Sequence, residues 1–130
     1  MTTDLPSDIR NFINSYIDSV EQVEALALMK AEPQREWTVE EMAKSLYTST
    51  ESTAMRLAHL HRTGLLSEIR SDVVRYRFEQ RNNRLRKAVD DFLETYAKRK
   101  VSVINQIFSG PSDDVQSFAD AFRIRRDPEE

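Results

Sequence analysis

Leu57-Ala58-His59-Leu60-His61-Arg62-Thr63-Gly64-Leu65-Leu66 is the stretch that decides the fold of this chain. Leu57 and Leu60 stand three apart, on one face of a helix. Gly64 can take the left-handed backbone conformation that closes a helix without a β-carbon penalty. Leu65 and Leu66 then lead into extended chain. The stretch therefore predicts a helix end, a stop and a strand start. Just downstream, Val73 to Phe78 alternates: Val74, Tyr76 and Phe78 fall on one face, Val73, Arg75 and Arg77 on the other. Arg70 precedes them across a turn at Ser71-Asp72, so this is a small hairpin with three arginines at its border.

Upstream the pattern is helical. Pro6 suits a first turn, and Ile9, Phe12, Ile13, Tyr16 and Ile17 repeat at helical spacing. Ser19, with Gln22 three residues on, caps a second helix carrying Val20, Val23, Leu26, Ala27 and Met29. Trp37-Thr38 predicts a strand stub. Thr38-x-x-Glu41 is a capping box for a third helix with Val39, Met42, Ala43 and Leu46 inward, and Thr48-x-x-Glu51 predicts another, opening the helix that ends at Gly64. Downstream, Arg84 to Phe108 reads as one helix of about seven turns. Leu85, Val89, Phe92, Tyr96, Val103 and Ile107 stand in line along it, a stripe too long for so small a body to cover. After Ser109-Gly110-Pro111, a short helix over 112–124 carries Val115, Phe118, Ala119, Phe122 and Ile124, followed by a charged tail.

The order helix, helix, helix, strand, turn, strand resembles the winged helix-turn-helix superfamily, in particular small bacterial regulators of the MarR and PadR type. The resemblance runs from Ser19 to Phe78. It implies a mainly α fold with a β-hairpin wing over 66–78. Outside the resemblance, residue spacing adds an N-terminal helix over 1–18 and a long helix over 84–108, whose uncovered stripe is expected to pair two copies of the chain. The resemblance implies sequence-specific binding of double-stranded DNA by a homodimeric transcriptional regulator, with the recognition helix over 48–63. The wing departs from the MarR pattern, in which an Asp-x-Arg motif is usual: here Asp72 and Arg75 stand three apart and no glycine shapes the turn.

Charge placement bears on the partner. The 130 residues carry a net charge of −3. Residues 1–47 hold 4 basic and 9 acidic side chains, residues 48–100 hold 12 and 7, and residues 101–130 hold 3 and 6. The block with the expected recognition helix and wing is thus the positive one, and phosphates respond to the local field. On the recognition helix, Ala54, Leu57, Ala58, Leu60 and His61 cluster inward, which predicts Ser52, Arg56, His59 and Thr63 outward. Candidate DNA contacts are Ser52, Thr53, Arg56 and His59 on this helix and Arg70, Arg75 and Arg77 on the wing. Hydroxyls and helix N-terminal amides suit phosphates, and arginine can bridge guanine O6 and N7. Arg81, Arg84, Arg86 and Lys87 either extend that footprint or form a solvated helix start.

Catalysis has little to build on. His59 and His61 stand two apart and point in different directions, and the chain has no cysteine. It has no glycine-rich phosphate loop and no nucleophile elbow. Neither enzyme activity nor a metal or cofactor is expected. Without a basic segment followed by an apolar run after Met1, the expectation is a cytoplasmic protein of one domain. Phe12, Tyr16 and Trp37 are either core or the lining of an effector pocket. A winged helix used only for protein contact stays open beside DNA binding, since the fold hosts both.

Overall fold

The computed structural model describes residues 5–110. Helices α1 (Ser7–Tyr16) and α2 (Val20–Ala31) lead into strand β1 (Glu36–Thr38). Next come α3 (Val39–Leu46), α4 (Thr50–Arg62), β2 (Ser67–Arg70) and β3 (Val74–Arg77), then α5 (Asn83–Lys98) and α6 (Lys100–Ser109). The fold is mainly α, with one small sheet of order β1-β3-β2, antiparallel throughout. Register pairs Trp37 with Tyr76 and Tyr76 with Glu68.

Local chemistry sets most of the helix starts. Ser19 Oγ accepts from the Gln22 amide at 3.2 Å. Thr38 and Glu41 form a reciprocal capping box, at 3.1 Å and 3.0 Å. The second expected box is not formed. Ser49 rather than Thr48 caps α4, accepting from the Ser52 amide at 3.0 Å. Thr48 is drawn away because its hydroxyl donates to Glu21.

Gly64 ends α4 as its sequence position requires, with φ +91°. The Gly64 amide donates to the His61 carbonyl (3.0 Å) and the Leu65 amide to the Leu60 carbonyl (2.9 Å). This double bond pattern satisfies carbonyls the helix end would otherwise leave open. The chain leaves it extended, with Leu65 and Leu66 buried.

The core joins both ends of the chain. Phe12 of α1 packs on Phe92 of α5, ring centroids 5.0 Å apart, and on Tyr16 at 5.1 Å. Val89, Phe92, Leu93 and Tyr96 are buried with Val103 and Ile107 in the same cluster. The single helix expected over 84–108 is instead two. Arg99, at φ −136° and ψ 54°, separates α5 from α6. The bend lets α6 turn back onto α1, where Gln106 Nε2 donates to Asn14 Oδ1 (3.1 Å). Much of the long apolar stripe is therefore covered within one chain. The helix expected over 112–124 lies outside the described residues.

Candidate nucleic-acid interface

The helix-turn-helix is α3, the turn Tyr47-Thr48-Ser49, and α4. Tyr47 takes the left-handed conformation (φ 57°) at the end of α3 and is 95% exposed. Below the turn, Glu21 of α2 gathers three side chains. Ser52 Oγ donates to Glu21 Oε1 at 2.9 Å, Thr48 Oγ1 to Oε2 at 3.0 Å, and Arg56 Nε to Oε1 at 3.3 Å. These donors, Ser52 foremost, hold the Glu21 carboxyl below its ordinary range against the opposing effect of burial. Arg56 Nη1 also lies 3.6 Å from Asp18. Beside it the fully buried Gln22 donates from Nε2 to His59 Nδ1 at 2.6 Å.

These contacts correct the expected outward face. Ser52, Arg56 and His59 face α2, and Thr53 is buried at 2% exposure with its hydroxyl donating to the Ser49 carbonyl (2.8 Å). Thr63 likewise turns its hydroxyl onto the His59 and Leu60 carbonyls. The exposed residues of α4 are instead Thr50, Glu51, Met55 and Arg62, with Ala54 and Ala58 half-buried beside them. Ala54 and Ala58 lie at the edge of the core rather than within it, so the exposed face of α4 is turned by about 100° from the expected one. The spacing 51, 55, 58, 62 is itself a helical line and was the available signal. Thr53, the wrongly placed residue, is a polar side chain satisfied by its own backbone.

The wing is β2, a tight turn over 71–73, and β3. Tyr76 is buried, while Val74 and Phe78 pack half-buried against the core on the same side. Arg70, Arg75 and Arg77 border the hairpin as expected, each beside a carboxylate. Arg70 Nε lies 2.8 Å from Glu68 and Arg75 Nη1 3.4 Å from Asp72. Arg77 lies 2.8 Å from Glu79 and 3.8 Å from Glu36. The Ser71 hydroxyl first, then the Val73 amide and Arg75, lower the Asp72 pKa. The Glu79 hydrogen bond raises that of Arg77.

The third basic cluster divides. Arg81 folds over the end of α4, donating from Nη2 to the Arg62 carbonyl (3.2 Å). Lys87 pairs with Asp91 at 3.4 Å. Arg84 and Arg86 form no ion pair with another described residue.

Of the aromatic candidates for a pocket, Phe12 and Trp37 are buried in the core and Tyr16 packs against it. His61 Nδ1 donates to the Leu66 carbonyl (3.2 Å), with Nε2 3.9 Å from Glu68. Among the described residues no three His, Cys, Asp or Glu side chains gather as a metal site would need. No described helix is long and apolar enough to cross a membrane.

This architecture defines a winged helix-turn-helix fold. No protein-family model matches the chain, and no curated protein sequence matches it. Solved structures do. A MarR family protein from Bacillus stearothermophilus is similar with a TM-score of 0.51 at 22% identity, covering 91% of this chain and 79% of that one. MepR, a transcription regulator of the Staphylococcus aureus multidrug efflux pump MepA, gives 0.55 at 16%, covering 91% and 85%. A MepR variant bound to an oligodeoxyribonucleotide gives the same values. At these identities the likeness is one of fold.

Proposed function

We propose that this chain is a DNA-binding transcriptional regulator that presents α4 to the major groove and the β2–β3 wing to the flanking phosphates. The observation that carries the reading is the conjunction of two features. α4 leaves Glu51, Met55 and Arg62 to solvent immediately after an exposed turn, and the adjoining hairpin bears Arg70, Arg75 and Arg77. A protein of the same fold is bound to an oligodeoxyribonucleotide, which supports the same use here.

In this reading the wing arginines exchange their carboxylate partners for phosphates. Surface ion pairs contribute roughly 0–1 kcal/mol, so the exchange costs little. Ser52, Arg56 and His59 serve the interface indirectly: they hold α4 against α2 at a fixed tilt, while Thr53 is buried and bonds the Ser49 carbonyl at the start of α4. The active form is a homodimer. Since α1 lies over part of the α5–α6 stripe, the second copy packs on the outer face of α6, where Val101 is 71% and Phe108 79% exposed.

A second reading, contact with another protein through the same face, draws on the pairing of all three wing arginines and on the exposed apolar side chains Tyr47, Met55 and Val73. Incubating the protein at low salt with fragmented genomic duplex, and sequencing what it retains, separates the two. Enrichment of particular fragments supports DNA binding. Retention of no duplex transfers the reading to protein contact.

A further inference from the structure

The exposed strip of α4 is chemically unusual for a surface meant to read bases. Along its line stand a carboxylate (Glu51), a thioether (Met55) and, only at the far end, a guanidinium (Arg62), while the half-buried flank adds the methyls of Ala54 and Ala58. The one arginine in the middle of the helix, Arg56, is turned onto Glu21 and Asp18. Met55 is 67% exposed, leaving most of its side chain without a partner. It lines a shallow groove with Ala54, Arg56, Ala58, His59 and Arg62 of α4, in which Arg56 and His59 are engaged by α2 and the residues before it.

Each base edge in the major groove demands particular chemistry. Guanine O6 and N7 need donors, the adenine edge suits an amide, the cytosine amine needs an acceptor, and the thymine C5-methyl needs an apolar surface. The middle of this strip offers neither a guanidinium nor an amide. Its apolar centre matches one base feature, the thymine methyl, and Glu51 one turn earlier matches the cytosine amine. Methionine is unbranched and polarizable, so it can adjust to the position of such a methyl.

We infer that the helix discriminates sequence through apolar contact with thymine C5-methyl groups, with Met55 as the specificity-determining side chain. The inference rests on the DNA-binding reading above.

The test begins with a duplex enriched from a random pool by the wild-type chain. That duplex is rebuilt with deoxyuridine for thymidine, which removes only the C5-methyl groups. Affinity for both forms is read by fluorescence anisotropy. The wild-type protein should bind the deoxyuridine duplex about fourfold more weakly for each methyl it contacts. Met55→Ala should bind both forms alike, whereas Met55→Leu should keep the preference. Comparing variants on the same two duplexes cancels any difference in their shape. Because Met55 is exposed, both variants should unfold at the wild-type temperature. Equal wild-type affinity for the two duplexes overturns the proposal, as does full preference in Met55→Ala. Failure to enrich any duplex overturns the underlying DNA reading instead.

Discussion

Arg56 Nε lies 3.3 Å from Glu21 Oε1, and the same oxygen accepts the Ser52 hydroxyl at 2.9 Å. One carboxylate on α2 thus fixes two side chains of α4 one turn apart, and Thr48 at the entrance to the helix binds its other oxygen. α4 is aimed from behind by polar contacts as well as by Leu57 and Leu60, which are fully buried. Apolar packing alone tolerates small rotations; directional hydrogen bonds to a charged group do not.

This carboxylate makes a signed contribution to pH dependence. Its folded-state pKa is lowered, chiefly by the Ser52 hydroxyl, then by Thr48 and Arg56, with burial opposing. A lowered carboxylate pKa stabilises the fold fully above the unfolded value, about 4.3, and the contribution fades as pH falls through the folded value. Thermal unfolding from pH 7 to pH 3 should therefore show a smaller acid-induced loss in Glu21→Gln than in wild type. Identical profiles would show that Glu21 is not held by these donors.

The end of α4 is a second point of leverage. A β-carbon on Gly64 would stand 3.0 Å from the Arg81 guanidinium, on a backbone at φ +91°. Gly64→Ala should cost roughly 1–2 kcal/mol, measured by urea denaturation. Adding Arg81→Ala should recover the steric part and leave the conformational part. An unchanged midpoint in Gly64→Ala would contradict the assignment of this residue as the stop between helix and wing.

Assembly turns on α6. A homodimer seated on Val101 and Phe108 should bury at least about 1,000 Å² in total if it is stable. Sedimentation at tens of micromolar should give a dimer for wild type. Phe108→Asp should give a folded monomer, since that side chain is 79% exposed among the described residues. A wild-type monomer would remove the dimer from the account.

The wing arginines should behave as phosphate contacts. Arg75→Ala and Arg77→Ala should each weaken binding to every duplex to a similar extent. Each should also reduce the salt slope by about 0.9. A loss confined to particular sequences would make them readers of bases instead.

Much of this was legible in the sequence because local rules act where residues are forced. Gly64 at a helix end, the Thr38-x-x-Glu41 box and the alternation through Val74, Tyr76 and Phe78 leave few alternatives. The failures came where a tertiary contact outweighs a local one. Thr48 and Glu51 had the spacing of a cap, yet Glu21, distant in sequence, took the threonine hydroxyl. Arg84 to Phe108 has continuous helical spacing with no proline or glycine, so nothing local marks Arg99 as a break. Packing of α6 back toward α1 decides it. The orientation of α4 depended on two alanines, whose small side chains sit at the edge of a core as readily as within it. Sequence placed the wing arginines at the hairpin but gave no sign that each stands beside a carboxylate.

Every prediction about specificity depends on α4 and the wing binding duplex DNA. The most direct measurement is the affinity of the full chain for an enriched duplex across a series of salt concentrations. Log K should fall linearly with log salt, with a slope of about −0.9 for every phosphate neutralised, hence roughly −3 if each of the three wing arginines meets one phosphate. No complex at low salt, or affinity independent of salt, would contradict it.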